Sequence, residues 1–216
     1  MVEPFIKNHQ YNLIKKQIGI LQQSSKTVAD PKVMEAVRYN AQSRVLEAFP
    51  QVSDIQKQML ESISKLNTVE EYQQYLSSLR PFQLEFPHVT EMQIKKLFPK
   101  NKKLKIPDLS SIDYHSITYL NWHDIGTNKW FIVYPLNGEL VGIEGRFTPG
   151  NKKDVCSLCN GVGEVALVTA ISKSRPANSS PDYYKAVGNY MCLHSDECNK
   201  KIVDVTLLEQ FIQSVI

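Results

Sequence analysis

The sequence predicts an α+β protein in two parts. An antiparallel helical bundle occupies residues 1–82, and an α/β domain built around a cysteine cluster occupies residues 83–216. Three observations predict this. Apolar residues recur at helical spacing through the first hundred positions, between well-marked helix ends. Aromatic and β-branched runs of strand length begin near residue 116. All four cysteines fall between positions 156 and 198.

The helices come first. Residues 5–21 carry Phe5, Ile6, Leu13, Ile14, Ile18 and Leu21 at largely helical spacing. Asp30-Pro31 then supplies an N-cap followed by a proline at the first helical position, where its missing amide hydrogen costs nothing. Met34, Val37, Ala41, Val45 and Phe49 share one face of this second helix, and Pro50 marks its end. A third helix starts near Ser53, with Ile55, Met59, Ile63 and Leu66 as its stripe. Thr68-x-x-Glu71 is a capping box for a fourth, with Tyr72, Tyr75, Leu76 and Leu79 inward. Arg80-Pro81-Phe82 interrupts the pattern and is read as the domain boundary. Short helices with short connections predict an antiparallel bundle. One more short helix, from Thr90 to about Phe98, opens on the box Thr90-x-x-Gln93.

Strands are predicted over residues 116–122, 130–134 and 140–147, with Asn137-Gly138 as a tight hairpin turn. Residues 172–182, SKSRPANSSPD, read as a mobile loop. Residues 164–170 and 183–192 can pair as a hairpin. A final amphipathic helix follows, with Thr206-x-x-Glu209 as its cap and Leu207, Leu208, Phe211, Ile212 and Val215 as its apolar face.

The cysteines carry the chemistry. Cys156-x-x-Cys159 lets two thiolates point to one ion in a tight knuckle, and Asn160, Gly161 and Gly163 suit the reversal it needs. The hairpin brings Cys192 back to the knuckle, and Cys198 sits just before the final helix. A knuckle, a hairpin and a ligand beside a helix start make a treble clef over about residues 150–216, holding one structural zinc ion through Cys156, Cys159, Cys192 and Cys198. Two disulfides and unligated buried cysteines are the alternatives, and His194 is an alternative ligand in the second pair. Four thiolates and Zn²⁺ sum to −2, which Lys152, Lys153, Lys200 and Lys201 are placed to soften.

Composition excludes several classes. With 216 residues, 42% apolar and 22% charged, the chain can bury a core large enough to offset its entropy. No run is long enough to span a bilayer, and the start Met1-Val2-Glu3-Pro4-Phe5 lacks a signal-peptide pattern, so a cytoplasmic monomer with no membrane partner is expected. A net charge of +3 implies no nucleic-acid partner by itself. Residues 95–105, KKLFPKNKKLK, nevertheless hold six lysines and no acid, which reads as a solvated helix end or as a contact with RNA or an acidic protein surface. No phosphate-binding glycine loop, His-Glu-x-x-His or Gly-x-Ser-x-Gly is present, and Gly142-Ile143-Glu144-Gly145 reads as strand or turn. His123 beside Asp124 reads as a solvated turn residue rather than an acid–base pair. No enzyme activity is expected.

Several stretches carry a resemblance: KKLKIPDL at 102–109, Tyr119-Leu120-x-Trp122-x-Asp124, Ile132-Val133-Tyr134, Gly142-Ile143-x-Gly145, the knuckle, Tyr190-x-Cys192-x5-Cys198 and the closing Phe211-Ile212. In order and spacing these resemble the elongation factor G-binding proteins of the FusB type, which confer fusidic acid resistance in Gram-positive bacteria. The likeness covers about residues 100–216; the first hundred agree only in being helical. It implies a helical N-terminal bundle, a treble-clef zinc site of four cysteines, and translation elongation factor G as partner; the ribosome or its RNA is a further candidate partner, apart from the resemblance. It also implies action by binding the factor and releasing it from the ribosome. Contact residues implied by the resemblance are Tyr190, Phe211 and Lys185. Here Val187 stands at the family's lysine position, with Lys185 two residues earlier, and Val155 stands where a phenylalanine is expected. Phe211 also reads as helix core. The rival reading is a zinc-stabilised RNA-binding module that uses the 95–105 lysines with Trp122 and Trp130.

Overall fold

The computed structural model describes residues 2–174, 176–178, 180 and 182–216, without the side chains of residues 151 and 152. The chain divides into two compact units that part between Leu84 and Glu85.

The first unit holds helices α1 (Asn8–Thr27), α2 (Pro31–Glu47), α3 (Asp54–Glu61) and α4 (Val69–Leu79). Their starts follow local chemistry. The Asp30 carboxylate accepts from the Lys32 amide at 2.8 Å, and Ser53 with Gln56 and Thr68 with Glu71 form reciprocal capping boxes. The core gathers Tyr11, Ile14, Ile18 and Leu21 from α1, Ala41 and Val45 from α2, then Leu60, Ile63, Tyr72, Tyr75 and Leu79. Buried tyrosine hydroxyls find backbone acceptors: Tyr75 donates to the Leu60 carbonyl at 3.1 Å and Tyr11 to that of Leu76 at 3.0 Å.

Two expectations for this unit are corrected. Phe5 and Ile6 are not helical: their amides donate to the Phe82 carbonyl at 2.8 and 2.9 Å, and Leu84 donates back to Ile6 at 2.8 Å. Ile6 and Gln83 thereby form a parallel bridge, and α1 begins only at Asn8. On the third helix Ile55 is exposed while Leu60 is fully buried. From Ser62 the chain tightens into a 3₁₀ turn that carries the buried Ile63.

The second unit is a five-stranded antiparallel meander in the order β1-β2-β3-β4-β5. The strands are β1 (Leu120–Asp124), β2 (Lys129–Leu136), β3 (Glu139–Val155), β4 (Val162–Ile171) and β5 (Ala186–Cys192), accompanied by helices α5 (Glu91–Leu97), α6 (Ser195–Lys201) and α7 (Thr206–Val215). Asn137 and Gly138 both have positive φ, 52° and 85°, as a two-residue turn between β2 and β3 requires. β2 is buried on both faces. Trp130, Ile132 and Tyr134 join the core with α7, while Phe131 and Val133 join Ile94, Phe98 and Trp122 in a second core on the opposite face. Both tryptophans are therefore core residues.

Strand limits differ from expectation. The first strand begins at Leu120, not 116, because the Thr118 and Tyr119 amides are taken by a side chain described below. The third runs well beyond 147, to Val155, with a register irregularity between Pro149 and Lys153. Cys198 lies inside the separate helix α6, whose acids Asp196 and Glu197 precede Lys200 and Lys201 in the order the helix dipole favours. Thr206 is the first residue of α7 rather than its cap; its amide is taken by Asp204 at 2.6 Å. Leu207 is exposed, while Leu208, Phe211, Ile212 and Val215 are buried. Of the expected 172–182 loop, residues 175, 179 and 181 lie outside the described residues.

Two glycines give opposite outcomes. A Cβ on Gly142 would sit 2.8 Å from Leu97 Cβ and Phe98 Cζ, whereas one on Gly19, in the interior of α1, would meet nothing within 4 Å. Gly142→Ala is expected to destabilise the protein by about 1–3 kcal/mol, and Gly19→Ala to stabilise it by about 0.5–1 kcal/mol. Thermal or denaturant unfolding of the two variants checks both signs.

Candidate metal centre

Three pieces of backbone deliver the four cysteines. Cys156 follows the last residue of β3, and the turn to β4 is closed by Asn160 N donating to Cys156 O and Cys156 N to Gly161 O, both at 2.9 Å. Asn160 has a φ of 53°, the left-handed geometry that asparagine tolerates. A Cβ on Gly161 would approach Lys201 Cδ at 3.0 Å and the Cys159 sulfur at 3.3 Å, a tight fit that the Lys201 stem would have to yield to. Cys192 ends β5, and its amide donates to the Cys156 sulfur at 3.3 Å. Cys198 faces inward from α6 and is fully buried.

The four sulfurs lie within 4.8 Å of one another. Cys156 and Cys198 are 3.8 Å apart, and Cys159 and Cys192 are 3.7 Å apart. An ion bound tetrahedrally by thiolates at about 2.3 Å sets its sulfurs about 3.8 Å apart. A disulfide needs about 2.05 Å, and all four cysteines are free. His194 is not part of the cluster; it is the N-cap residue of α6, its carbonyl accepting from Cys198 N at 3.3 Å.

Electrostatics point the same way. Hydrogen bonds from Cys159, Cys192 and Cys198 pull the Cys156 thiol far below the usual thiol range. Hydrogen bonding to Cys156, then to Cys159, pushes Cys192 and Cys198 far above it. Cys159, raised by Cys156 but lowered more by Cys192 and Cys198, comes to about 7, so two thiols ionise readily and two resist, as expected of a donor set that needs a divalent cation to lose all its protons. Of the lysines expected to offset the residual charge, Lys201 lays its stem over the knuckle at Gly161. Lys200 instead pairs with Glu197 at 2.9 Å and Asp196 at 3.6 Å. The Lys152 side chain lies outside the described residues.

Two supporting residues escaped the sequence reading. Tyr119 is buried, and desolvation followed by the neighbouring Cys198 sulfur raises its pKa well above the ordinary value, so it stays a neutral hydroxyl hydrogen-bonded to that sulfur. Asn199, beside Cys198, accepts from Thr118 N at 2.7 Å and Tyr119 N at 3.3 Å and donates to Tyr119 O at 3.1 Å. It ties α6 to the chain entering β1. Nothing in the local sequence marks Asn199 except its position next to a cysteine.

Of the expected contact residues, Tyr190 and Lys185 are exposed and Phe211 is buried. Tyr190 is 47% exposed on β5, and its carbonyl accepts from both the amide and the hydroxyl of Ser157 at 2.8 Å, which fastens it to the knuckle. Lys185 is exposed just before β5. Phe211 is only 4% exposed and meets Trp130 edge-on at 6.5 Å, so it packs in the core. Val155 and Val162, cross-strand partners at the base of the knuckle, are both exposed. His123 stacks on Phe147 at 3.9 Å, and burial lowers its pKa despite Asp124, which places it in packing rather than at a reactive atom.

Fold and cluster together define a treble-clef zinc-finger protein with one structural zinc ion. More particularly, residues 96–208 match the family described as FBP C-terminal treble-clef zinc-finger, and residues 5–87 match the one described as elongation factor G-binding protein, N-terminal. The chain belongs to the FBP C-terminal treble-clef zinc-finger family. Among solved structures it is similar to the fusidic acid resistance protein FusC, at 27% identity over 98% of this chain and 97% of that one, with a TM-score of 0.80. No curated protein matches the sequence.

Replacing Cys156 or Cys198 by serine is expected to lower bound zinc below one per chain and to unfold the second unit. Zinc analysis beside a thermal melt checks this, and a variant with full zinc and the native Tm would contradict a structural metal. Asn199→Ala is expected to cost about 2–4 kcal/mol, because buried backbone groups of Thr118 and Tyr119 lose their partner; denaturant unfolding of the zinc-loaded protein measures it.

Proposed function

We propose that this protein is a binding protein without catalytic activity, which engages translation elongation factor G, promotes its release from the ribosome and so protects translation against fusidic acid. In this reading Cys156, Cys159, Cys192 and Cys198 hold the zinc, and the metal fixes the β4–β5 hairpin that presents Tyr190, with Lys185 at its near end. The observation that carries the proposal is the likeness over both parts of the chain at once. The two family matches follow in order, and the likeness to the fusidic acid resistance protein FusC spans nearly the whole length of each.

The surface chemistry supports it. Tyr190 offers a half-exposed aromatic ring with a polar tip, the type of anchor that dominates interfaces, and exposed Val155 and Val162 lie beside the knuckle to which its backbone is tied. Phe211 contributes by packing under the sheet against Trp130 rather than by direct contact. Release requires preferential binding to a conformation of the factor that holds the ribosome less tightly; equal affinity for both conformations would shift nothing. A cytoplasmic monomer fits this role, and no described helix is long and apolar enough to cross a membrane. A zinc hydrolase would need an open coordination position, which four thiolates do not leave. The two tryptophans cannot serve as the stacking platform of the RNA-binding rival, since Trp122 is stacked on Phe131 at 5.1 Å and Trp130 is buried.

Calorimetric titration of the zinc-loaded protein with purified elongation factor G is expected to give saturable one-to-one binding. Tyr190→Ala should weaken it about tenfold or more, the scale of an interface anchor, with zinc content and Tm unchanged. Unchanged affinity would move the interface away from the hairpin. Release is read separately, as the rate at which labelled factor leaves ribosomes stalled by fusidic acid; no acceleration by the protein would remove that part of the proposal.

A further inference from the structure

The two faces of the sheet are covered unequally. One is covered by α6 and α7, with residues of β2, β3, β4 and β5 in the shared core. The other is covered by α5 and the chain after it only where β1 and β2 supply Leu120, Trp122, Phe131 and Val133. Beyond that core lies a trough of about 1180 Å³, lined by the end of α5 and the chain after it, the β1–β2 turn, β3, the end of β4, the segment before β5 and Val215 at the end of α7. This is larger than the roughly 300–1,000 Å³ of ordinary small-molecule clefts. A space of this size, open to solvent, can take a stretch of polymer.

Its lining is strongly basic. Lys96, Lys100, Lys129, Arg146 and Lys173 face one carboxylate, Glu144. That carboxylate is already held: Lys129 lies 2.5 Å from it, and Asn101 donates to it at 2.6 Å while accepting from Lys129 at 2.6 Å. Lys96, Lys100, Arg146 and Lys173 remain exposed, with no carboxylate paired to them among the described residues. Tyr184 stands at the rim, 71% exposed.

We propose that this trough binds single-stranded RNA, with the four free cations on its phosphates and Tyr184 stacked on a base. Charge complementarity requires an anionic occupant. Lysine is depleted at the centre of protein–protein interfaces, whereas lysine and arginine interleaved with Thr127, Thr169 and Asn128 form the usual donor set for a phosphate chain. A concave, basic groove with an aromatic at its edge is also how single strands are held without sequence preference. The trough shares neither the zinc cluster nor Tyr190, so the inference does not rest on the factor-binding proposal.

The test is fluorescence anisotropy of a labelled, uridine-rich RNA of about 12 nucleotides with the full zinc-loaded chain, at salt from about 50 to 200 mM. Binding is expected, with log K falling against log salt at a slope of about −3, which is four phosphates at about −0.7 each. Lys100→Gln combined with Arg146→Gln should lower affinity at least about tenfold and halve the slope to about −1.4. Tyr184→Ala should weaken binding about tenfold with the slope unchanged. Lys26→Gln with Lys32→Gln, far from the trough in sequence and in the other unit, should change neither quantity. Absence of binding, or wild-type affinity and slope in the Lys100/Arg146 variant, overturns the proposal. So does an anisotropy rise with labelled polyglutamate and none with RNA, which would assign the trough to an acidic protein segment.

Discussion

The second unit depends on bringing four thiols, from three separate stretches of chain, within bonding distance of one ion. β3 and β4 run as a pair to the knuckle, β5 ends on Cys192, and α6 turns Cys198 inward. Apart from the metal, the knuckle is tied to β5 by Cys192 N to Cys156 Sγ and by the Ser157 amide and hydroxyl to Tyr190 O, over a shared apolar core, while the sulfurs compete for protons. A structural zinc site contributes on the order of 10–16 kcal/mol, which matches the whole net stability of a typical domain, about 5–15 kcal/mol. Zinc therefore decides whether the hairpin and the two last helices hold their arrangement. Tyr119 and Asn199 carry that arrangement back to the start of β1, so the centre governs the first strand of the sheet as well as the last.

The sheet also explains why the two tryptophans are not available for recognition. With helices on one face and α5 on part of the other, β2 has no solvated side, and its aromatic residues serve two cores. Recognition falls instead to what those cores leave uncovered. This is the knuckle end of β5 on one hand and the basic trough lined by β3 and the end of β4 on the other.

Much of this was legible because it is written locally. The boxes at Thr68 and Thr90, the cap at Asp30, the Asn137-Gly138 turn and the Cys-x-x-Cys spacing each join residues within a few positions, and each forms as expected. What was not legible is set by partners far along the chain. Phe5 and Ile6 have helical periodicity but pair with residues near Phe82. Residues 118 and 119 look like strand but yield their amides to Asn199, some 80 positions away. The seven-residue α6 is too short to show an apolar stripe, and only its acid-then-base order hints at a helix. The trough was invisible for a similar reason: Lys100, Arg146 and Lys173 become neighbours only once the register of β3 on β4 is set.

The bridge between Ile6 and Gln83 has a mechanical side. Because the two segments run parallel, the chain leaves them at opposite ends of the contact. A pull between the stretch before Phe5 and the stretch after Leu84 therefore loads the three hydrogen bonds to Phe82 and Ile6 in shear, all at once, rather than peeling them one by one. The bundle between them is clasped against tension along the backbone, and a strain applied there would reach the helices only after the clasp had given way.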